Sequence, residues 1–238
     1  MSILMEFRNV SRYFPGKQAL IDINCSIRQG EFIFLSGPSG AGKSTFLKMI
    51  ALQDRPNEGE VTINHYSLTQ LSQTGENAYR RKIGFVHQMP RFIHDYTLEE
   101  NVALPLRLRG YHQSETQKKV RAILFKVGLL SRAQGFYHEL SGGERQRAEI
   151  ARALVTDPLI LLADEPTGNL DRNMSVEVMD LLIKLHHQGT TVIFATHDRF
   201  LLESYPYRCF DLDNGHLTIH ERATKWNQPI TASEDLYV

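Results

Sequence analysis

Residues 32–45 constrain the fold more than any other stretch. The apolar run Phe32-Ile33-Phe34-Leu35 leads almost directly into Gly37-Pro38-Ser39-Gly40-Ala41-Gly42-Lys43-Ser44-Thr45. Four consecutive apolar residues suit a strand covered on both faces, as inside a parallel sheet. The stretch after it fits G-x-x-x-x-G-K-[ST], and the apolar pattern of Phe46–Leu52 supplies the helix that such a loop opens. Glycines let backbone N–H groups close around phosphate oxygens with no Cβ in the way. The helix N-terminus adds the positive end of its dipole. Lys43 can then reach the β- and γ-phosphates of a nucleotide, and the Ser44 hydroxyl can ligate Mg²⁺.

The remainder of the chain alternates. Met5–Val10 and Leu20–Ile27 read as strands, the second with Ile21, Ile23, Cys25 and Ile27 on one face. Continuous apolar runs recur at Leu159–Ala163 and Thr191–Ala195, with a helical pattern between them at Ser175–Gln188. Helical patterns without a strand occupy Leu98–Leu108 and Thr116–Leu130. The expected fold is α/β: a P-loop NTPase (RecA-like) core with an antiparallel β subdomain and an inserted helical subdomain. A single domain is expected over residues 1–220, its core about 1–89 and 150–220 and its helical subdomain about 90–149. Residues 221–238 read as a polar tail.

Composition narrows the partners. Lysine plus arginine balances aspartate plus glutamate at 27 each, which disfavours nucleic acid and gives no polybasic tether to anionic lipid. Cys25 and Cys209 are too few for a disulfide framework and lack metal-ligand spacing. No basic n-region precedes an apolar run at the N-terminus, and the longest apolar stretches fall far short of a bilayer span. The expected location is the cytoplasm, with any membrane contact made by docking on another protein.

Two further stretches carry chemistry. Ile160-Leu161-Leu162-Ala163-Asp164-Glu165 is an apolar strand ending in two acids. Beside a P-loop, Asp164 is placed to hold Mg²⁺ with Ser44, and Glu165 to act as general base toward a water attacking the γ-phosphate. Leu140-Ser141-Gly142-Gly143-Glu144 leads into a helical pattern at Ala148, Ala151 and Leu154. Ser141 is a good N-cap, and two glycines at a helix N-terminus offer a second anion site; taken alone, the stretch is an ordinary helix start.

LSGGE followed by RQR closely resembles the signature of the ABC (ATP-binding cassette) family, whose usual form is LSGGQ-x-QR. The order from P-loop to signature, to LLADEPTGNLD and then ATHD, is similar to ABC cassettes over about residues 5–220. The resemblance implies an ATPase that closes as a head-to-tail homodimer, with Ser141, Gly142, Gly143 and Glu144 of one copy over the γ-phosphate at the other's P-loop. Glutamine is commoner than Glu144 at that position. By the same resemblance Tyr13 stacks on adenine, Gln88 contacts Mg²⁺ and the attacking water, and His197 senses the γ-phosphate. Asp171, in Gly168-Asn169-Leu170-Asp171, is implied to lie at the dimer contact. Within the family the chain looks most like the FtsE-type cell-division ATPases, on Arg80-Arg81-Lys82-Ile83-Gly84-Phe85-Val86-His87-Gln88 and Asn101-Val102-Ala103-Leu104-Pro105-Leu106. That implies an FtsX-like membrane subunit docked near Met89–Leu104, on the cytoplasmic face of the inner (plasma) membrane. Lipoprotein-release and efflux ATPases share much of the pattern and are the alternative; a soluble cassette acting on nucleic acid fits the neutral charge poorly.

Overall fold

A computed structural model of the chain describes residues 2–88 and 92–221. Met89, Pro90 and Arg91 of the expected docking stretch, and nearly all of the tail, lie outside the described residues. In chain order the elements are β1 (Ile3–Phe14), β2 (Lys17–Arg28), β3 (Phe32–Ser36), α1 (Lys43–Ile50), β4 (Glu58–Ile63), β5 (Tyr66–Ser67), α2 (Gln73–Arg80) and β6 (Ile83–Val86). Then follow α3 (Leu98–Leu108), α4 (Gln113–Lys126), α5 (Gly142–Leu154), β7 (Ile160–Asp164), α6 (Arg172–His187), β8 (Thr191–Ala195), α7 (Arg199–Ser204), β9 (Arg208–Asp213) and β10 (His216–His220).

Two sheets result. One is antiparallel, in the order β2-β1-β4-β5; the other runs β10-β9-β3-β8-β7-β6 and is parallel from β9 to β6. The apolar runs follow from the second sheet being covered on both faces. Phe32, Phe34, Leu161, Ala163, Val192 and Phe194 face a core shared with α3, α4, α5 and α6. The alternate residues Ile33, Leu35, Ile160, Leu162, Ile193 and Ala195 face a second core built with α1 and the antiparallel sheet. Successive side chains on a strand point to opposite faces, so each run feeds two cores at once.

The strands β3, β7 and β8 stand side by side, and their C-terminal ends carry the phosphate loop, the Asp164-Glu165 pair and His197. That is where an open α/β sheet places its ligand. The segment from α3 to α5 packs as helices against one face, with Thr97 capping α3 through a reciprocal capping box with Glu100. None of the helices among the described residues is long and apolar enough to cross a membrane.

Candidate nucleotide site

The phosphate loop enters α1 on a glycine. Gly42 caps α1 at φ 113 with no side-chain hydrogen bond, so the first N–H groups of the helix lack an internal partner and point at whatever anion sits there. Gly42 could carry no side chain: an added Cβ would fall inside contact of the Ala19 carbonyl oxygen and 3.0 Å from Leu20 Cδ2. Gly37, at φ 137, is closed against the Leu212 carbonyl in the same way. Lys17 Nζ donates to the Gly40 carbonyl at 2.9 Å and straps the loop from outside.

Lys43 is buried and donates to the Gly37 and Pro38 carbonyls at 2.7 and 3.1 Å. Its ammonium also lies 3.4 Å from Glu165 Oε1. Glu165 sits one residue past β7 in the left-handed region, at φ 48, and its N–H is tied to the Ala195 carbonyl at 3.0 Å. That strained placement turns the carboxylate across the strand ends, where Gln88 Nε2 donates to Oε2 at 3.1 Å and His197 Nδ1 lies 3.2 Å from Oε1. Three residues from three separate loops therefore converge on one carboxylate.

A cavity of about 220 Å³ joins these groups; Ser39, Gly40, Gly42, Lys43, Ser44 and Thr45 line it together with Gln88, Asp164 and Glu165. The Ser44 hydroxyl, the Asp164 carboxylate and the Gln88 carbonyl form a hard, all-oxygen donor set of the kind Mg²⁺ takes alongside phosphate oxygens. A roomier groove of about 570 Å³ opens between α3 and α4, among Glu99, Arg107 and Tyr111, but none of the nucleotide groups reaches it. Chemistry, and not volume, singles out the smaller cavity.

Tyr13, expected from the resemblance to stack on adenine, is not among the residues that line this cavity. Tyr13 donates through its hydroxyl to Glu58 Oε2 at 3.2 Å, and it is Phe14, 40% exposed, that lines the cavity. Adjacent strand residues point to opposite faces, so an error of one position exchanges the two rings. Lys17 was also missed by sequence reasoning; its partner lies 23 residues away and only the fold joins them.

Ser141, Gly142, Gly143 and Glu144 do not line this cavity. They form the N-terminus of α5, where Ser141 Oγ accepts the Glu144 N–H at 3.3 Å and Glu144 Oε2 accepts the Ser141 N–H at 2.8 Å. That backbone bond, with Arg132 3.2 Å away, holds the Glu144 carboxyl below its usual value. Ser141 and Gly142 are exposed, while Gly143 is buried against Met174 at the start of α6. Asp171 caps α6 by accepting the Met174 N–H at 2.9 Å, so the chain after Glu165 and the signature meet at Met174. In the expected docking stretch Phe92 is buried and stacks on Tyr137 with ring centroids 4.2 Å apart, whereas Ile93 stays 39% exposed.

Comparison with known proteins agrees with this layout. The family profile described as ABC transporter matches residues 20–168. The cell division ATP-binding protein FtsE of Escherichia coli (strain K12) is 42% identical over 215 residues, 90% of this chain and 97% of that protein. FtsE of Bacillus subtilis (strain 168) is 41% identical over 213 residues, 89% of this chain and 93% of that one. Among solved structures, the dimeric ATP-binding cassette MJ0796 in a post-hydrolysis state bound to ADP and Pi is 37% identical, with a TM-score of 0.83 over 92% of this chain and 98% of that chain. On its sequence likeness and its fold, the chain belongs to the ABC transporter family of ATP-binding cassettes.

Proposed function

We propose that this ATPase is the nucleotide-hydrolysing subunit of an FtsEX-type complex, which couples ATP hydrolysis to a membrane partner in cell division and so to the activation of cell-wall hydrolases. The observation that carries the chemistry is the convergence of Lys43, Gln88 and His197 on the Glu165 carboxylate beside an open phosphate loop. The division role is supported by likeness to FtsE proteins along nearly their whole length.

ATP enters with its phosphates on the α1 N-terminus, which draws Lys43 from the Gly37 and Pro38 carbonyls toward the β- and γ-phosphates. Glu165, relieved of that ammonium, accepts a hydrogen bond from water and takes its proton as the water oxygen bonds to the γ-phosphorus and the bond to the β-phosphate oxygen breaks. Gln88 and His197 fix Glu165 and the water in line. Ser44, Asp164 and Gln88 would hold Mg²⁺, which would supply positive charge against the phosphate oxygens. Phe14 gives the base an aromatic face. Ser141, Gly142 and Gly143 complete the site across a homodimer, with Glu144 fixing their cap and Asp171 at the contact; the exposure of Ser141 and Gly142 away from their own cavity supports that arrangement. An FtsX-like subunit docks near Met89–Leu104 at the cytoplasmic face of the inner membrane. The segments about 1–89 and 150–220 act as the core, and about 90–149 as the helical arm that moves with the partner.

The test uses tagged Glu165→Gln, which should bind ATP yet turn over about 10²–10⁴-fold more slowly. Pulled down from detergent-solubilised membranes with ATP, it should retain an FtsX-like protein. Parental turnover would refute the base assignment, and recovery of a lipoprotein-release or efflux permease would refute the division role.

A further inference from the structure

Gln88 opens the segment that runs from β6 to α3, and His87 and Phe92, which flank its start, both meet one ion pair. Glu149, on α5, is 1% exposed. Its Oε2 accepts from Arg152 Nη2 at 2.5 Å, and its Oε1 accepts the His87 N–H at 3.5 Å. The Arg152 guanidinium in turn lies 4.3 Å over the Phe92 ring, which is stacked on Tyr137. The residue just before Gln88 and the aromatic four positions after it are thus held by two neighbouring side chains of a single helix turn.

A buried pair of this kind is a poor device for stability alone. Desolvation of two charges offsets most of their attraction, and apolar residues of the same volume pack as well. Burial indeed pushes the Glu149 carboxyl up, against the pull of Arg152. What the pair gives instead is direction, because it joins the backbone beside Gln88 to the helix that begins at Ser141. Glu149 lies eight residues from Ser141, about 12 Å along the helix axis at ~1.5 Å per residue.

We propose that Glu149 is a positioning residue for ATP hydrolysis: with Arg152 it clamps residues 87 and 92 to α5, so that the placement of the signature helix sets the placement of Gln88 against Glu165. A shift of the α5 N-terminus is then passed to Gln88 as a rigid displacement. This rests on the role given above to Gln88, and the experiment separates the two.

Steady-state ATPase activity of the full chain is measured for Glu149→Ala, Glu149→Gln, Gln88→Ala and the Glu149→Ala/Gln88→Ala pair. Glu149→Ala should lower kcat about tenfold with KM changed by less than about twofold, since loss of alignment costs rate and not binding. Glu149→Gln, which still offers an acceptor to His87, should stay within about threefold of the parent. On the Gln88→Ala background the Glu149 change should cost less than about twofold, because its effect has already been removed. An undiminished kcat in Glu149→Ala, or the same fold loss on both backgrounds, overturns the assignment. Parental activity in Gln88→Ala brings down the role of Gln88 and the proposal with it. If Glu149→Ala does not fold, Glu149→Leu/Arg152→Met, which removes both charges and keeps the volume, takes its place in the same cycle.

Discussion

Replacing Phe14 by alanine should weaken ATP binding while the same change at Tyr13 should not. The Phe14 ring is 40% exposed, lines the cavity beside Gly40 and Lys17, and has the Arg12 guanidinium 4.5 Å from its centroid. Stacking of a base on an aromatic side chain contributes roughly 1–3 kcal/mol. At about 1.4 kcal/mol per factor of ten, its loss raises the Kd for ATP by about 5- to 140-fold. Tyr13→Ala removes one hydrogen bond to Glu58 at the surface, with a net effect of about 0.5–1.5 kcal/mol on stability and none on the nucleotide. Equilibrium titration on a Glu165→Gln background keeps the ligand intact during the measurement. GTP run in parallel should weaken by the same factor on loss of Phe14, since every base has a face to stack. A more than tenfold loss in Tyr13→Ala with less than twofold in Phe14→Ala would refute the reasoning.

Other outcomes follow from the geometry. Gly42→Ala should abolish nucleotide binding and lower Tm by roughly 2–8 °C, because φ 113 and the Ala19 carbonyl leave no room for a methyl group; unchanged melting by scanning calorimetry would contradict this. Burial pushes the Cys25 thiol to about 12 and the Cys209 thiol to about 11. Neither should react with a thiol reagent in the native protein at neutral pH, and both should react after unfolding; rapid native labelling would count against the buried placement. Glu144 is held below its usual 4.5, so its cap stabilises α5 above that pH and is lost as the pH falls through the lower folded value. The Tm gap between the parent and Glu144→Ala should shrink on acidification below about pH 4.5; a widening gap would reverse the sign of the argument.

What the sequence made legible was whatever is contiguous. The phosphate loop, the Asp164-Glu165 pair and the Ser141 cap are each written in a few consecutive residues. The apolar runs revealed buried parallel strands because each run fills both faces of its own strand. Tyr13 and Phe14 are hard to tell apart from the sequence because β1 is irregular: its pairing with β2 shifts register between Phe7 and Val10, between Val10 and Arg12, and again between Arg12 and Tyr13. Counting alternate positions through such shifts cannot say which of two adjacent aromatics faces the ligand. Lys17 and Glu149 were silent for another reason. Each acts across a distance in sequence, on Gly40 or on His87, and an isolated lysine or a glutamate inside a helical pattern carries no local mark of that. Phe92 lies inside the expected docking stretch Met89–Leu104, and its stacking on Tyr137 joins positions far apart in sequence.

The contact between Gly37 and the Leu212 carbonyl also has a consequence in time. The phosphate loop is synthesised well before β9, yet one of its walls belongs to that strand, which pairs with β3 and is joined to Ser36 through Asp211 at 2.5 Å. A ribosome-bound chain emerges from its N-terminus. Such a nascent chain carries the whole Gly37–Thr45 motif long before it carries the surface that shapes it. Shaping of the loop at Gly37 is thereby tied to synthesis of β9, and a chain broken off before Arg208 would display the motif without that wall.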